Sequence, residues 1–307
     1  MNSGLMRGRI RRVARIAAKV SLFVHLSLAI LPITPFLARA QSSTNPENAA
    51  GEANATSRVG RRRAPRVLLD AWFNSQKRRN ALGQMTYFHY KWDDNSDSGF
   101  SMLGRLFNDR GVETDTLYQA PTAANLGSAQ FYIIVSPDIP VKNPQPNYVT
   151  LQDAEQVAAW VRRGGILLIM ENDPANADIE HLDLLADKFG LHFNSALSHH
   201  VIDDTFSMGR IDVAGGGELF SRPHVLFMKD TCTISLSGTA RPLLVDKGDV
   251  MMAAAKYGKG TVFAVVDPWL YNEYIDNHRL PAEYDNLAAG RELLDWLLRQ
   301  IPSHQVR

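Results

Sequence analysis

The chain has a single cysteine in 307 residues, Cys232. This excludes an internal disulfide, a thiolate zinc site and a CxxC redox pair. Cys232 falls in an apolar stretch read as one strand, Val225–Ser237, and is expected to be a small buried side chain rather than a nucleophile. Neither HExxH nor a GxSxG elbow occurs. The adjacent His199-His200 would point apart on any regular element, so they would not chelate one ion together. Gly215-Gly216-Gly217 does not join a strand to a helix as a phosphate cradle would. Asp93-x-Asn95-x-Asp97 has the rhythm of a calcium loop, but Ser98 replaces its glycine and Gly104 its closing glutamate. The expectation is therefore a site without metal or cofactor, with calcium in some other geometry the one alternative left open.

Basic charge is scarce where a nucleic acid would need it. Residues 1–66 hold twelve Lys/Arg and two Asp/Glu, which leaves 33 − 12 = 21 basic and 32 − 2 = 30 acidic side chains in 67–307, a net of −9. An acidic body argues against a nucleic-acid partner. The basic excess belongs to the beginning of the chain. Arg7, Arg9, Arg11, Arg12, Arg15 and Lys19 precede the mostly apolar Val20–Leu37, and Ala38-Arg39-Ala40 has the small-x-small form of a cleavage site. Residues 1–40 read as a signal peptide. The competing reading, a membrane anchor, is opposed by Pro32, Pro35 and His25, which shorten the clean apolar run. A periplasmic or secreted protein with no membrane span after cleavage is expected. Residues 41–65, poor in large apolar side chains, read as a flexible linker, and 302–307 as a tail.

What remains, residues 66–301, reads as a single α/β domain. Val67–Leu69, Thr114–Tyr118, Phe131–Val135 and Ile166–Met170 are short strand-like runs. The last two lack alternation, so both faces should be covered, as in central parallel strands. Between them, Phe100, Leu103 and Phe107 recur at helical spacing, with Ser98 as N-cap and Gly111 as stop. Thr150 with Asp153 forms a capping box before Ala154, Val157, Ala158 and Val161. Ile179, Leu182, Leu185 and Phe189 make a further helix, capped by Asn176 or Asp178. The pattern predicts a doubly wound, mostly parallel sheet with right-handed crossovers. Val250–Val266 adds a β-hairpin about Gly258-Lys259-Gly260, and Leu287, Leu294, Leu297 and Leu298 predict a closing C-terminal helix.

Predicted strands run abruptly into acids and amides: Asp70 and Asn74, Asp138, Glu171-Asn172-Asp173, and Asp267. In open α/β sheets ligands gather beyond the carboxyl ends of strands. Trp72, Tyr90, Trp92, Trp269, Tyr271 and Tyr274 share those loops. Carboxylates and amides hydrogen-bond hydroxyls while flat rings cover the apolar faces of a sugar, so a carbohydrate pocket explains both sets. Read singly, each Asp or Asn also fits a turn or cap.

Several stretches resemble the class I glutamine amidotransferase-like domain found fused to unsaturated rhamnogalacturonyl hydrolases of pectin-degrading bacteria. They are Trp92-Asp93-Asp94 through Ser98-Gly99-Phe100-Ser101, Ala120–Leu126, Asn143–Tyr148, Asn172-Asp173 with Asn176-Ala177 and Glu180-His181, and Lys256–Gly260 through Asp267–Tyr274. The resemblance implies a flavodoxin-like α/β fold and a role with oligosaccharides containing unsaturated uronic acids. Glu171-Asn172 stands where an amidotransferase would carry its nucleophilic cysteine, so glutamine hydrolysis is not expected. The helical barrel of the fused hydrolases does not fit in this chain either. Two readings remain open. One is processing or binding of the sugar, with Asp173 and Asp267 as the carboxylate pair of a glycosidase and His89, Asp93 and His181 in reserve. It places Trp72, Asn74, Trp92, Asp138, Asn172, Asn176, Glu180, Trp269 and Tyr271 against substrate, with Lys91 and Lys142 as the cations a uronate needs. The other is a non-catalytic accessory module serving a glycoside hydrolase partner or an envelope complex.

Overall fold

The computed structural model describes residues 64–302, apart from Asn277. The expected signal peptide, nearly all of the linker and residues 303–307 lie outside them. Among the described residues no helix is long and apolar enough to cross a membrane.

Strand β1 (Arg66–Asp70) is followed by a short antiparallel hairpin, β2 (Lys77–Arg79) and β3 (Met85–Tyr87). Helix α1 (Ser101–Asn108), β4 (Glu113–Leu117), a one-turn α2 (Ala123–Leu126) and β5 (Phe131–Val135) come next. Then follow α3 (Leu151–Arg162), β6 (Ile166–Met170), α4 (Ile179–Ala186) and β7 (Leu191–Ser198). The second half holds β8 (Arg210–Val213), β9 (His224–Phe227), β10 (Thr231–Leu236), β11 (Arg241–Asp246), β12 (Asp249–Tyr257) and β13 (Gly260–Val265). Helices α5 (Asn272–Ile275) and α6 (Asn286–Arg299) close it.

Seven strands form the central sheet in the order β11-β12-β13-β6-β5-β1-β4. From β13 to β4 neighbouring strands are parallel; β12 and β11 extend the sheet antiparallel. Winding starts at β1, steps to β4 on one side, then returns to β5, β6 and β13 on the other. This is the doubly wound flavodoxin-like order, and it places the switch point between β1 and β5. All residues of β5 and β6 are buried, as unbroken apolar runs with two covered faces require. At the edge, β4 alternates Glu-Thr-Asp-Thr before a buried Leu117, with charges blunting an otherwise open strand.

Local signals placed several boundaries. Thr150 caps α3 through its Oγ1, which accepts from the Asp153 N–H, and the Asp153 carboxylate accepts from the Thr150 N–H in return. The hairpin of β12 and β13 turns at Gly258 (φ +61°), as expected. Three expectations are corrected. Ser98 does not cap α1: Phe100 holds that position with no side-chain bond, and the Ser98 carbonyl accepts from the Tyr90 N–H instead. Neither candidate side chain caps α4, since Asp178 occupies the position but binds His181 Nδ1. The stretch Val225–Ser237 is two strands in different sheets, β9 pairing with β8 and β10 with β7. Between them Asp230 adopts φ +51°, a turn that no continuous strand could hold.

At the start of β13 the sheet backbone meets the end of α3 directly. A Cβ on Gly260 would lie 2.1 Å from the Val161 carbonyl oxygen and 2.3 Å from that of Gly165. Both obstacles are main chain and cannot rotate away. Gly260→Ala is expected to cost about 3 kcal/mol, the upper range for overpacking. Thermal denaturation should show a fall of roughly 6–12 °C for a domain of this size. An unchanged melting temperature would disprove this close approach.

Candidate functional site

The deepest part of the switch point is filled by the chain itself. The Asp70 carboxylate, at the end of β1, accepts from the Phe73 N–H (2.8 Å), the Asn74 N–H (3.1 Å) and the Tyr132 hydroxyl (2.8 Å). Asn74 Nδ2 donates to the Ser136 carbonyl beyond β5 (2.8 Å), and its Oδ1 accepts from Lys91 Nζ (2.7 Å). Asp138 is fully enclosed, accepting from the Ser75 N–H, Gln76 Nε2 and Asn143 Nδ2, each at 2.8 Å. Burial pushes the Asp70 carboxyl up to about 6 and pulls the Lys91 ammonium down to about 8. Asn74, Asp138 and Lys91 are thus placed as ties between two strand-end loops.

Beside this plug, at the carboxyl ends of β5, β6 and β13, lies a pocket of about 210 Å³. His89 and Tyr90 come from the loop before α1, Lys142 from the loop after β5, and Asn172 and Asn176 from the turn after β6. Lys229 and Asp230 come from the β9–β10 break, and Tyr271 and Glu273 from the segment after β13. Three of its lining residues, His89 (φ +65°), Tyr90 (φ +53°) and Asp230 (φ +51°), have left-handed backbones without being glycine. Such strain persists only where surrounding bonds enforce it. Here the His89 N–H donates to Asp94 Oδ2 (2.9 Å) and the Tyr90 N–H to the Ser98 carbonyl (2.8 Å). Asn272 locks the same loop from α5, its Nδ2 donating to the carbonyls of Asp94 (3.1 Å) and Ser96 (2.8 Å).

The charges around the pocket are unequally partnered. Asp230 accepts from His200 Nδ1 (2.8 Å) and the Val201 N–H (3.3 Å), and Glu273 pairs with Arg279 (3.1 Å). Among the described residues the lysines engaged in ion pairs are Lys188 and Lys247. Lys142 and Lys229 therefore have no carboxylate of the described residues within 4.0 Å. Burial pulls the Lys142 ammonium below its ordinary range, with Asp173, Asp138 and Glu171 opposing that shift. Burial, with Lys142 and Lys91 nearby, pulls His89 down to about 3, so its imidazole is neutral at neutral pH.

Two fully buried acids lie at the strand ends near this pocket. Asp267 Oδ2 accepts from the Lys229 N–H (3.1 Å), while its Oδ1 has no partner among the described residues. Burial pushes this carboxyl up to about 8. Neither oxygen of Glu171 has a hydrogen-bond partner within 3.5 Å among the described residues; burial pushes it above the carboxylate range, Asp178 and Asp183 push the same way, and the Asn172 main chain opposes them. Burial therefore favours the protonated form of both acids.

Of the residues singled out in the sequence, His89, Tyr90, Lys142, Asn172, Asn176 and Tyr271 come together in this pocket. The others do not join them. Asp173 is turned into its own loop, accepting from the Ala175 N–H (3.2 Å) and from Asn176 Nδ2. Asp93 and Glu180 are exposed elsewhere, and half-buried His181 stacks on Tyr148 with ring centres 4.2 Å apart. Trp269 is wholly buried, and Trp92 donates its indole N–H to the Asp115 carbonyl (3.0 Å) while packing against Phe100 and Phe107. Trp72 lines a separate cleft with Lys142. Lys229 and Asp230 were not anticipated from the sequence; the signal was the polar Lys-Asp pair interrupting an apolar run. Asp183, Asp187 and His192 offer ligand atoms within 4.8 Å of one another, in a different cleft from the pocket.

The raised pKa of Asp267 has a definite sign in stability. Unfolded, the carboxyl titrates near 3.8; folded, near 8, so in between the folded state holds the extra proton. Stability must therefore fall as pH rises through that window. Asp267→Asn keeps an acceptor for the Lys229 N–H and removes the titration. Its melting temperature should decline less than that of the wild type between about pH 5 and pH 8, ending a few degrees higher. Parallel curves for the two proteins would refute this account of Asp267.

No family profile and no curated sequence matches the chain. Among solved structures, the mmIFT52 N-terminal domain aligns with a TM-score of 0.55 at 15% identity, over 76% of this chain and 97% of that one. A GMP synthase component from Thermoplasma acidophilum aligns with a TM-score of 0.46 at 10% identity, over 80% and 97%. A β-galactosidase from Rahnella sp. R3 aligns with a TM-score of 0.46 at 16% identity, over 78% of this chain but 31% of that enzyme. What the chain shares with the mmIFT52 domain at such identity is its fold.

Proposed function

We propose that this domain binds acidic oligosaccharides, with a uronate carboxylate seated between Lys142 and Lys229. The observation that carries the reading is the imbalance of partners in the strand-end pocket. Its two acids pair with His200 and Arg279, and its two lysines have no ion-pair partner among the described residues. Asn172, Asn176, Tyr90 and Tyr271 add amide and hydroxyl groups suited to sugar hydroxyls. About 210 Å³ suits one sugar ring rather than a long segment. The resemblance carried by Trp92–Ser101 and Lys256–Tyr274 supports a pectin-derived uronate, and the basic and apolar pattern of residues 1–40 supports export to the periplasm or medium.

Binding without hydrolysis is the better-supported form of this reading. A two-carboxylate glycosidase needs an acid and a base flanking the scissile bond. Asp267 is enclosed and protonated, and Asp173 is committed to its turn. One feature favours hydrolysis as a second reading: a neutral Asp267 with an unpartnered oxygen could donate a proton if the pocket floor opened. Release of reducing ends from rhamnogalacturonan oligosaccharides, abolished in Asp267→Asn, would establish that reading.

Calorimetric titration with galacturonate tests the binding proposal. Lys229→Ala should weaken affinity about tenfold or more, as expected for one charge-assisted hydrogen bond of roughly 1.5–3 kcal/mol. Because Lys229 holds Asp267 through its main chain, the substitution should leave the melting temperature unchanged. Equal affinity in the wild type and Lys229→Ala, or no binding by the wild type, rejects the proposal.

A further inference from the structure

On the other side of the switch-point plug lies a second, larger cleft of about 440 Å³. Trp72, following β1, and Tyr118, following β4, line it; the β2–β3 hairpin contributes Lys77, Met85 and Tyr87. Its opposite wall is the loop after β5, from Lys142 through Asn147. The rings of Tyr87 and Tyr118 sit 4.9 Å apart at 50°, and Lys77 Nζ rides 4.6 Å from the centre of the Tyr87 ring. Tyr118 is 49% exposed and Met85 55% exposed. The scaffold therefore holds partly exposed aromatic surface in a concave site, among amides and a lysine.

Lys142 lines this cleft and the strand-end pocket alike, so one residue borders both. For a ligand whose carboxylate meets Lys142 in the pocket, the cleft is the neighbouring concave surface bordered by that same residue. There, flat rings match the apolar faces of sugars, Gln145 and Asn143 match their hydroxyls, and Lys77 matches a further carboxylate. Resting on the binding reading above, we propose that the cleft is a second subsite for the same acidic oligosaccharide. The pocket takes one uronate unit, and the Trp72–Tyr87–Tyr118 cleft takes the units next to it. The ligand class is thereby narrowed from a single acidic sugar to a chain of at least two or three units.

The test is a length series: mono-, di- and trigalacturonate titrated calorimetrically into the full-length mature protein and its Trp72→Ala, Tyr118→Ala and Lys229→Ala variants. Wild-type affinity should rise about tenfold or more from the monomer to the trimer, since the added units cover apolar ring surface in the cleft. Tyr118→Ala and Trp72→Ala should lose that gain while binding the monomer as the wild type does. Tyr118 is largely exposed, so its variant remains informative if Trp72→Ala folds poorly. Lys229→Ala should weaken every member of the series. Monomer binding that depends on Lys229, with no gain in length or with a gain that survives both aromatic substitutions, would overturn the second subsite and leave the pocket reading intact. Failure of all three sugars to bind the wild type would overturn both.

Discussion

The site depends on how this protein closes its own switch point. Doubly wound sheets open a crevice where the winding reverses, and ligands ordinarily enter there. In this chain Asp70, Asn74, Lys91 and Asp138 occupy that crevice with their own hydrogen bonds, tying the loop after β1 to the loop after β5. A buried lysine and buried carboxylates tolerate low dielectric only when such partners satisfy them. Once they do, the crevice is full, and the concave space left to a ligand lies to either side. Lys142, on the loop that Asp138 and Asn143 hold, borders both spaces.

Electrostatics then decide what those spaces can accept. The folded body is acidic in composition, and a rim of strand-end carboxylates would repel an anion. Burial alters that balance. Burial favours the neutral form of Glu171 and Asp267, and Asp230 and Glu273 pair with His200 and Arg279. Lys142 and Lys229 are then the charges left for a ligand. Which charges of an acidic domain stay free for a ligand is set by desolvation and pairing, neither of which net charge reports.

Precision at the pocket comes from loops rather than from the sheet. His89 and Tyr90 hold unfavourable backbone angles because Asp94, Ser98 and Asn272 fix the loop on both flanks. Gly99 is part of the same lock, since a Cβ there would fall 1.8 Å from the Asp94 carbonyl oxygen. The strain is local, and the bonds that maintain it reach across most of the sequence, from residue 94 to residue 272.

Short-range chemistry was legible in the amino-acid sequence alone. Unbroken apolar runs identified β5 and β6, because strands covered on both faces need no polar side. The Thr150–Asp153 box and the Gly258 turn act within a few residues and were readable for that reason. The polar, exposed β2–β3 hairpin carried no period to detect, and the break at Lys229-Asp230 looked like one strand because its two halves are individually apolar. The sequence also showed that acids and aromatics collect where strands end. It did not show which of them would reach solvent. Trp269 and Asp267 went inward, Asp138 and Asn74 became ties, and Lys229 arrived from a distant turn. Burial and pairing depend on neighbours brought together by strand order, and strand order is a property of the whole sheet.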